Sequence, residues 1–262
     1  MRAVLEADHP MNVRGVFYQI SNLGLIEKEE REYKSTIVRL LGVMRREGAI
    51  PYGWLADSTR WMRKPQTYGS LQQMLDESIT FYRRDLWANQ PSYVEVWLEK
   101  DALSGVILPV TEEFDVPLMV TRGYASLSFL HNDAEAITAQ GKPTFLYYLG
   151  DHDPSGVHIP KKIEQTLREL APEAEIRFEV IAVTREQIRR LKLPTRPTKK
   201  SDTRARDFKG RSVELDAIPA RELRRLVRRC IEQHINHSLL ETTERIEEEE
   251  RATLARMVEG AA

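Results

Sequence analysis

Apolar and polar positions along this chain follow two different periods, and the change of period divides it into three regions. Up to about residue 91 the apolar positions recur at helical spacing. Ile37, Leu40, Leu41 and Met44 share one face of a helix predicted over 33–47, and Gly48, Pro51 and Gly53 break it. A shorter helical stretch covers 14–19, and another helix is predicted over 70–87. Short helices broken by turns fit a helix-turn-helix or winged-helix module, and equally a small helical bundle.

Between about 92 and 184 solid apolar runs alternate with helical stretches. Strands are predicted over 93–98, 116–120, 144–149 and 175–183, and helices over 102–113, 124–139 and 157–170. This βαβαβαβ series implies an α/β domain, a largely parallel sheet with helices on both faces. The third region starts with a helix over 185–191 and a basic loop over 194–210. In the segment 213–219, Glu214 and Asp216 alternate with Val213 and Leu215, as on an exposed edge strand. A long helix with breaks then runs from near Pro219 toward Met257. The division expected is a small helical module over 1–91 and an α/β domain with a C-terminal helical extension over 92–262.

The formal net charge of −1 over 262 residues conceals segregation. Residues 185–211 are rich in Lys and Arg, whereas 241–250 are strongly acidic. The basic stretch reads either as a nucleic-acid surface or as a solvated loop. No apolar stretch is long enough to span a bilayer, and the first residues carry no apolar signal region, so a cytoplasmic protein without membrane partners is expected. The lone Cys230 excludes an intrachain disulfide and a cysteine-cluster zinc site, and falls in a helical run as a small buried hydrophobe.

Candidate chemistry lies where two apolar runs end. Glu99 closes the first, and Asp151 and Asp153 follow the third. Carboxylates at the C-terminal ends of neighbouring parallel strands converge on the crevice where α/β sheets bind ligands. Three such groups repel one another, and their hard oxygens favour magnesium or manganese over zinc. The competing interpretation is helix capping: Asp101 for the helix from 102, and Asp153 or Ser155 for the helix from 157. His152 points away from its neighbours, and Trp97, Tyr147 and Tyr148 read as core.

Four segments carry a family resemblance: Glu99-Lys100-Asp101-Ala102, Thr121-Arg122-Gly123-Tyr124, Gly150-Asp151-His152-Asp153-Pro154-Ser155-Gly156 and Val213-Glu214-Leu215-Asp216-Ala217. They resemble a Toprim domain and, within that class, the topoisomerase VI A subunit, whose family includes the meiotic double-strand-break transesterase. The likeness covers about 92–235 well and the first region more loosely. That family places a winged-helix module with a nucleophilic tyrosine, in a motif like Arg-x-x-Tyr-Tyr, before the Toprim domain. Arg14-Gly15-Val16-Phe17-Tyr18 is similar, with Phe17 in place of the first tyrosine.

The resemblance implies metal-dependent DNA strand cleavage by a compact homologue of that subunit. Tyr18 would be the nucleophile and Arg14, four residues away on the same helix face, would stabilise the phosphate. Asp151 and Asp153 would hold Mg2+, with Mn2+ as the substitute, and Glu99 would complete the metal site and shuttle a proton. Lys100 would neutralise the transition state or offset the acids. Arg122 would contact a phosphate or pair with one of the acids. Arg196, Lys199, Lys200, Arg204, Arg206 and Lys209 would contact the DNA backbone, giving salt-dependent affinity with little sequence choice. The implied partners are double-stranded DNA, a second copy of the chain whose Toprim site works with this tyrosine, and a separate ATPase subunit. In a prokaryote this places the protein on the nucleoid. A hydrolytic Toprim-type nuclease with a structural Tyr18 is the first alternative, since a phenol of pKa ~10 is a poor nucleophile at neutral pH and Phe17 and Tyr18 could equally be core aromatics. A non-catalytic DNA-binding module is the second.

Overall fold

Local caps fix where the first helices begin. In the computed structural model, which describes residues 1–55, 65–197, 208 and 210–259, α1 (Arg2–Ala7) leads to α2 (Val13–Asn22). The Asn12 side chain accepts a hydrogen bond from the Gly15 amide at 2.7 Å and so caps α2. α3 (Glu30–Glu32), a π-helical stretch (Tyr33–Val38) and α4 (Arg39–Arg46) form one continuous helical run, close to the 33–47 predicted. Ile37 and Leu41 are buried with Leu5, Met11, Val16, Phe17, Ile20 and Ile50 in a small separate core. Among the described residues this region contains no strand, only an isolated bridge between Met11 and Leu55.

α5 (Leu71–Phe81) starts after Ser70, whose hydroxyl accepts from the Gln73 amide. It stops six residues short of the predicted end at 87 because tertiary contacts claim the residues beyond Phe81. Tyr82 donates its hydroxyl to Glu250 at 2.5 Å, and Arg84 pairs with Glu250 at 2.6 Å. Trp87 is buried under the sheet and donates its indole N–H to the Phe114 carbonyl at 2.8 Å.

The apolar runs form a four-stranded parallel sheet, β1 (Tyr93–Leu98), β2 (Leu118–Val120), β3 (Thr144–Leu149) and β4 (Ile176–Ala182), in the order β2-β1-β3-β4. The ladder at β2 begins later than predicted because Pro117 has no N–H to give; its carbonyl accepts from the Val96 amide at 3.1 Å. α6 (Ser104–Glu113), α7 (Leu127–Gln140) and α8 (Pro154–Leu170) connect successive strands. Side chains alternate across the sheet. Val94, Val96, Leu98, Tyr147 and Leu149 pack with Val106, Ile107 and Val110 of α6, whereas Trp97, Leu146 and Tyr148 pack with Leu130 and Ile137 of α7 and Ile159, Ile163 and Leu167 of α8.

On the second face sits an unusual pair. Glu95, in the middle of β1, is buried, accepts from the Trp97 indole at 2.9 Å, and is hydrogen-bonded to Asp133 of α7. Burial, then the neighbouring Asp133, push the Glu95 carboxyl well above its usual range. Burial raises Asp133 to about 6. One Asp133 oxygen has no hydrogen-bond partner.

Beyond the sheet, α9 (Arg185–Arg190) opens with a reciprocal capping box between Thr184 and Gln187. The long helix predicted from Pro219 is two helices, α10 (Ala220–Glu232) and α11 (His237–Glu259). At the break the Asn236 amide donates to the Gln90 side chain at 2.8 Å, tying the linker to the base of the sheet. α10 carries Leu223, Val227, Cys230 and Ile231 into the core shared with α6.

The 213–219 segment departs from the exposed edge strand expected. Val213 and His152 exchange both backbone hydrogen bonds, at 2.8 and 3.0 Å, and a 3-10 turn (Leu215–Ala217) follows. Leu215 and Ile218 are buried, and Asp216 is only 1% exposed. Alternation misled because this segment crosses the ends of the strands, where the acids meet lysines contributed by distant parts of the chain.

Candidate functional site

Strand register builds the site. Leu98 pairs with Leu149, so Glu99 and the segment from Gly150 leave the sheet side by side. The Glu99 carboxylate accepts from the Asp151 amide and from the Tyr148 hydroxyl, both at 3.2 Å. Gly150 permits this meeting: a Cβ there would lie 2.5 Å from both Glu99 Oε2 and the Tyr148 ring. Tyr148, expected as a plain core aromatic, is thus fully buried with its hydroxyl on the candidate acid.

Asp151 Oδ1 accepts from the Leu215 amide at 2.7 Å and pairs with Lys100 Nζ at 3.1 Å. Asp153 caps α8, accepting from the Gly156 amide at 2.7 Å, with Pro154 as the first helical residue. A Cβ on Gly156 would fall 1.9 Å from the Asp151 carbonyl oxygen, so the turn requires glycine. The N-cap position of α6 falls to Leu103, not Asp101, which begins a 3-10 turn (Asp101–Leu103) and accepts from Ser104 at 3.2 Å.

The electrostatics separate the acids. Burial, then Asp151, then Asp153, raise the Glu99 carboxyl above its ordinary pKa despite its hydrogen bonds. Burial also raises Asp151, against the pull of Lys100. Burial opposes the Lys100 charge as well, but Asp151, Asp216 and Glu214 outweigh it and its pKa goes up. A divalent cation fits the donor set in kind, because Glu99, Asp151 and Asp153 bring hard oxygens together at the C-terminal ends of β1 and β3. The groups are not gathered round a common point: among the described residues no three His, Cys, Asp or Glu side chains stand close enough to hold a metal ion. Lys100 is the positive charge Asp151 meets here.

A second group of acids lies on the other side of Lys100. Its Nζ is 3.6 Å from Glu214 and 3.7 Å from Asp216. Lys28, from the loop after α2, pairs with Glu214 and lies 3.2 Å from Asp216 Oδ1. Burial works against Glu214, but its hydrogen bond to Lys28, with Lys100 and Arg196, holds it down at about 2, whereas burial keeps Asp216 raised. Lys28 is a site residue that sequence reasoning missed. It sits among glutamates with no periodicity to mark it, 186 residues before Glu214.

Tyr18 enters the same neighbourhood. Its ring centroid is 4.4 Å from Lys28 Nζ and 5.8 Å from Lys100 Nζ. Burial raises its phenol pKa, only partly offset by Lys100. Phe17 is buried in the N-terminal core, whereas Tyr18 sits partly buried at its edge. Arg14 does share the helix with Tyr18, but its guanidinium pairs with Glu30 at 2.7 Å and lies 3.8 Å from the Tyr33 ring centroid.

The expected DNA contacts divide. Arg122 is exposed and pairs with Asp101 at 3.2 Å, with none of the three candidate metal acids, from a backbone of φ 52°. Arg196 pairs with Glu214 at 2.6 Å. Lys199, Lys200, Arg204, Arg206 and Lys209 lie outside the described residues. His152 exchanges backbone bonds with Val213 and faces Phe208, with ring centroids 5.2 Å apart. No helix among the described residues is long and apolar enough to cross a membrane. No protein-family model matches the chain, and no curated protein matches it.

Proposed function

We propose that this chain is a metal-dependent DNA-cleaving transesterase of the topoisomerase VI A type, on a Toprim-like domain with a winged-helix-like N-terminal module. The observation that carries the reading is the approach of a tyrosine to the carboxylate-rich C-terminal ends of the two central strands. Tyr18 lies 5.8 Å from Lys100, which is 3.1 Å from Asp151, which hydrogen-bonds Glu99 through its amide. The substrate is double-stranded DNA, and the reading includes a homodimer and a separate ATPase subunit that drives strand passage.

Glu99, Asp151 and Asp153 would hold Mg2+ or Mn2+. Bound there, the cation would draw charge from the phosphate oxygens. Tyr18 Oη attacks the phosphorus, the P–O3′ bond breaks, and a 5′-phosphotyrosyl link forms. The phenol proton passes to water. The leaving O3′ takes a proton from a water held at Glu99, the proton-shuttle role the resemblance implies for that residue. Lys100 stands between Tyr18 and Asp151 and would offset charge on the pentacoordinate phosphate. Arg14 would serve the phosphate only after exchanging Glu30 for it.

The engaged Arg14 and the raised Tyr18 phenol favour a second reading, a hydrolytic nuclease in which water attacks and Tyr18 is structural. End-labelled supercoiled DNA incubated with Mg2+ or Mn2+ and denatured without protease separates the two. Protein left on the DNA, and lost in both Tyr18→Phe and Asp151→Ala, supports the transesterase. Free ends that survive Tyr18→Phe but not Asp151→Ala mean hydrolysis. DNA binding without cleavage under either metal leaves the non-catalytic module.

A further inference from the structure

We infer that the cleft between α8 and β4 receives one unstacked base of the DNA, next to a phosphate held at Asp151. The inference rests on the DNA reading of the proposed function and adds a substrate contact to it.

The order of the sheet makes the cleft. β4 is an edge strand, with no further strand beside it among the described residues. α8 lies over β3, where its Ile159, Ile163 and Leu167 pack with Leu146 and Tyr148. β4 is therefore only half covered on this face. The Phe178 ring packs partly against the same core, its centroid 6.0 Å from that of Tyr148. Val180 points to the same side two residues later and is 40% exposed. The space left between helix and strand has a volume of about 270 Å³. Val157 and Pro160 line it from α8, and Phe178, Val180 and Val183 line it from β4 and the residue just beyond.

Position, size and charge identify the ligand. Asp151 and His152 line the same cleft, so it opens onto the candidate metal site. A group that fills it adjoins a phosphate bound at Asp151, and on DNA that group is the base of the neighbouring nucleotide. The volume lies just below the ~300 Å³ at which pockets for drug-sized ligands begin, which suits one planar heterocycle and not a whole cofactor. His152, Pro160 and Phe178 offer ring faces, and a base stacks on such a face whatever its identity. At the rim Glu164 pairs with Arg168 at 2.9 Å, so Lys161 carries the rim's net positive charge. Exposed Lys162 on one flank, and exposed Arg185, Arg189 and Arg190 soon after Val183 on the other, extend that charge as a path for backbone phosphates. A duplex base reaches the cleft only by leaving the stack, and the cost of doing so is smallest for a mismatched base.

That cost makes the inference measurable. Two duplexes of one sequence, one matched and one with a single mismatch carrying 2-aminopurine, are titrated with the protein, with calcium in place of magnesium. The wild type should bind the mismatched duplex about 10-fold more tightly, because less pairing is lost when its base is taken out. The 2-aminopurine fluorescence should rise as the base leaves the stack. Val180→Trp fills the cleft from an exposed strand position that suits an aromatic residue. It should leave the matched-duplex affinity unchanged and lose both the preference and the fluorescence rise. Val180→Lys blocks the cleft with a side chain that attracts DNA, and keeps the test alive if tryptophan disturbs the fold; it too should lose the preference.

Equal affinity of the wild type for the two duplexes, or a preference that survives in a folded Val180 variant, overturns the inference. A preference that depends on Val180, in a protein that never forms a covalent adduct, supports the cleft while sinking the transesterase reading. Absence of DNA binding of any kind removes the DNA reading, and the cleft's ligand with it.

Discussion

Replacing Asp133 by Asn should make the protein more stable at neutral pH, and by an amount that depends on pH in a defined way. Asp133 faces Glu95 inside the α7 side of the sheet, and burial raises its pKa from 3.8 to about 6. A carboxylate whose pKa is higher folded than unfolded binds more protons in the native state, so stability falls as pH rises through the window between the two values. With about 1.4 kcal/mol per pKa unit, the raised Asp133 pKa costs the fold roughly 3 kcal/mol at pH 7, where the carboxyl is ionised, and roughly 1 kcal/mol at pH 4.5, where only the unfolded chain has lost the proton. Asparagine keeps the shape and carries no charge. Any change in packing or hydrogen bonding it introduces is nearly independent of pH, and Glu95, raised first by burial and only second by Asp133, stays protonated in both proteins across this range. The stability difference between Asp133→Asn and wild type should therefore grow by about 2 kcal/mol from pH 4.5 to pH 7. Urea unfolding of both proteins at the two pH values measures it, with the slopes compared to ensure that the unfolded states match. A difference that is flat with pH, or that shrinks toward pH 7, would refute the claim that the pair holds a proton at the expense of the fold.

Glu214→Gln should behave in the opposite sense. A carboxylate held at about 2 against an ordinary 4.5 contributes stability above the unfolded value and loses it as pH falls from there toward 2. The substitution should cost about 2 kcal/mol at pH 7 after allowance for partial exposure, and the gap should narrow below pH 4.5; a cost that is constant with pH contradicts this. Gly156→Ala should lose about 3 kcal/mol or more, because the new methyl meets the Asp151 carbonyl oxygen, and a melting temperature within a degree or two of wild type would show that the turn has room. Cys230, 9% exposed and pushed by burial to about 11, should react with a thiol-specific disulfide reagent only at the rate of unfolding; rapid reaction in the native protein would mean that α10 opens locally.

The sheet was legible because each strand announces itself twice, by a solid apolar run and by the helix after it. Tyr93–Leu98 and Thr144–Leu149 are buried from both faces, so only continuous apolar sequence serves, and parallel pairing follows from the helices between them. Glu99 and Asp151 could be placed together because a strand's end is a geometric address. The helix over 70–87 was not legible in full: its last turns give way to Tyr82 and Arg84, whose partners in α11 lie more than a hundred and sixty residues away. Nor was the buried acid pair, since Glu95 reads as one polar interruption in β1 and nothing near it names Asp133. Glu214 and Asp216 were read as solvent-facing because alternation reports only that two side chains share a side, never which side is covered.

Lys100 gives these facts a common physical root. A lysine two residues beyond the end of a central strand has no apolar face to lie against, and here it meets Asp151, Glu214 and Asp216. A cation arriving at Glu99, Asp151 and Asp153 would repel the Lys100 ammonium and weaken its hold on Asp151. The ammonium would then be drawn further toward Glu214 and Asp216, the acids that also hold Lys28 beside Tyr18. Under the proposed function, metal occupancy and the placement of the tyrosine would thereby be linked through one side chain. Lys100→Met should uncouple them, leaving the metal dependence of the Tyr18 3-fluorotyrosine resonance flat where the wild type shows a shift on adding Mg2+; an equal shift in both proteins would mean that the two sites communicate by another route, or that the cation acts on the phenol directly.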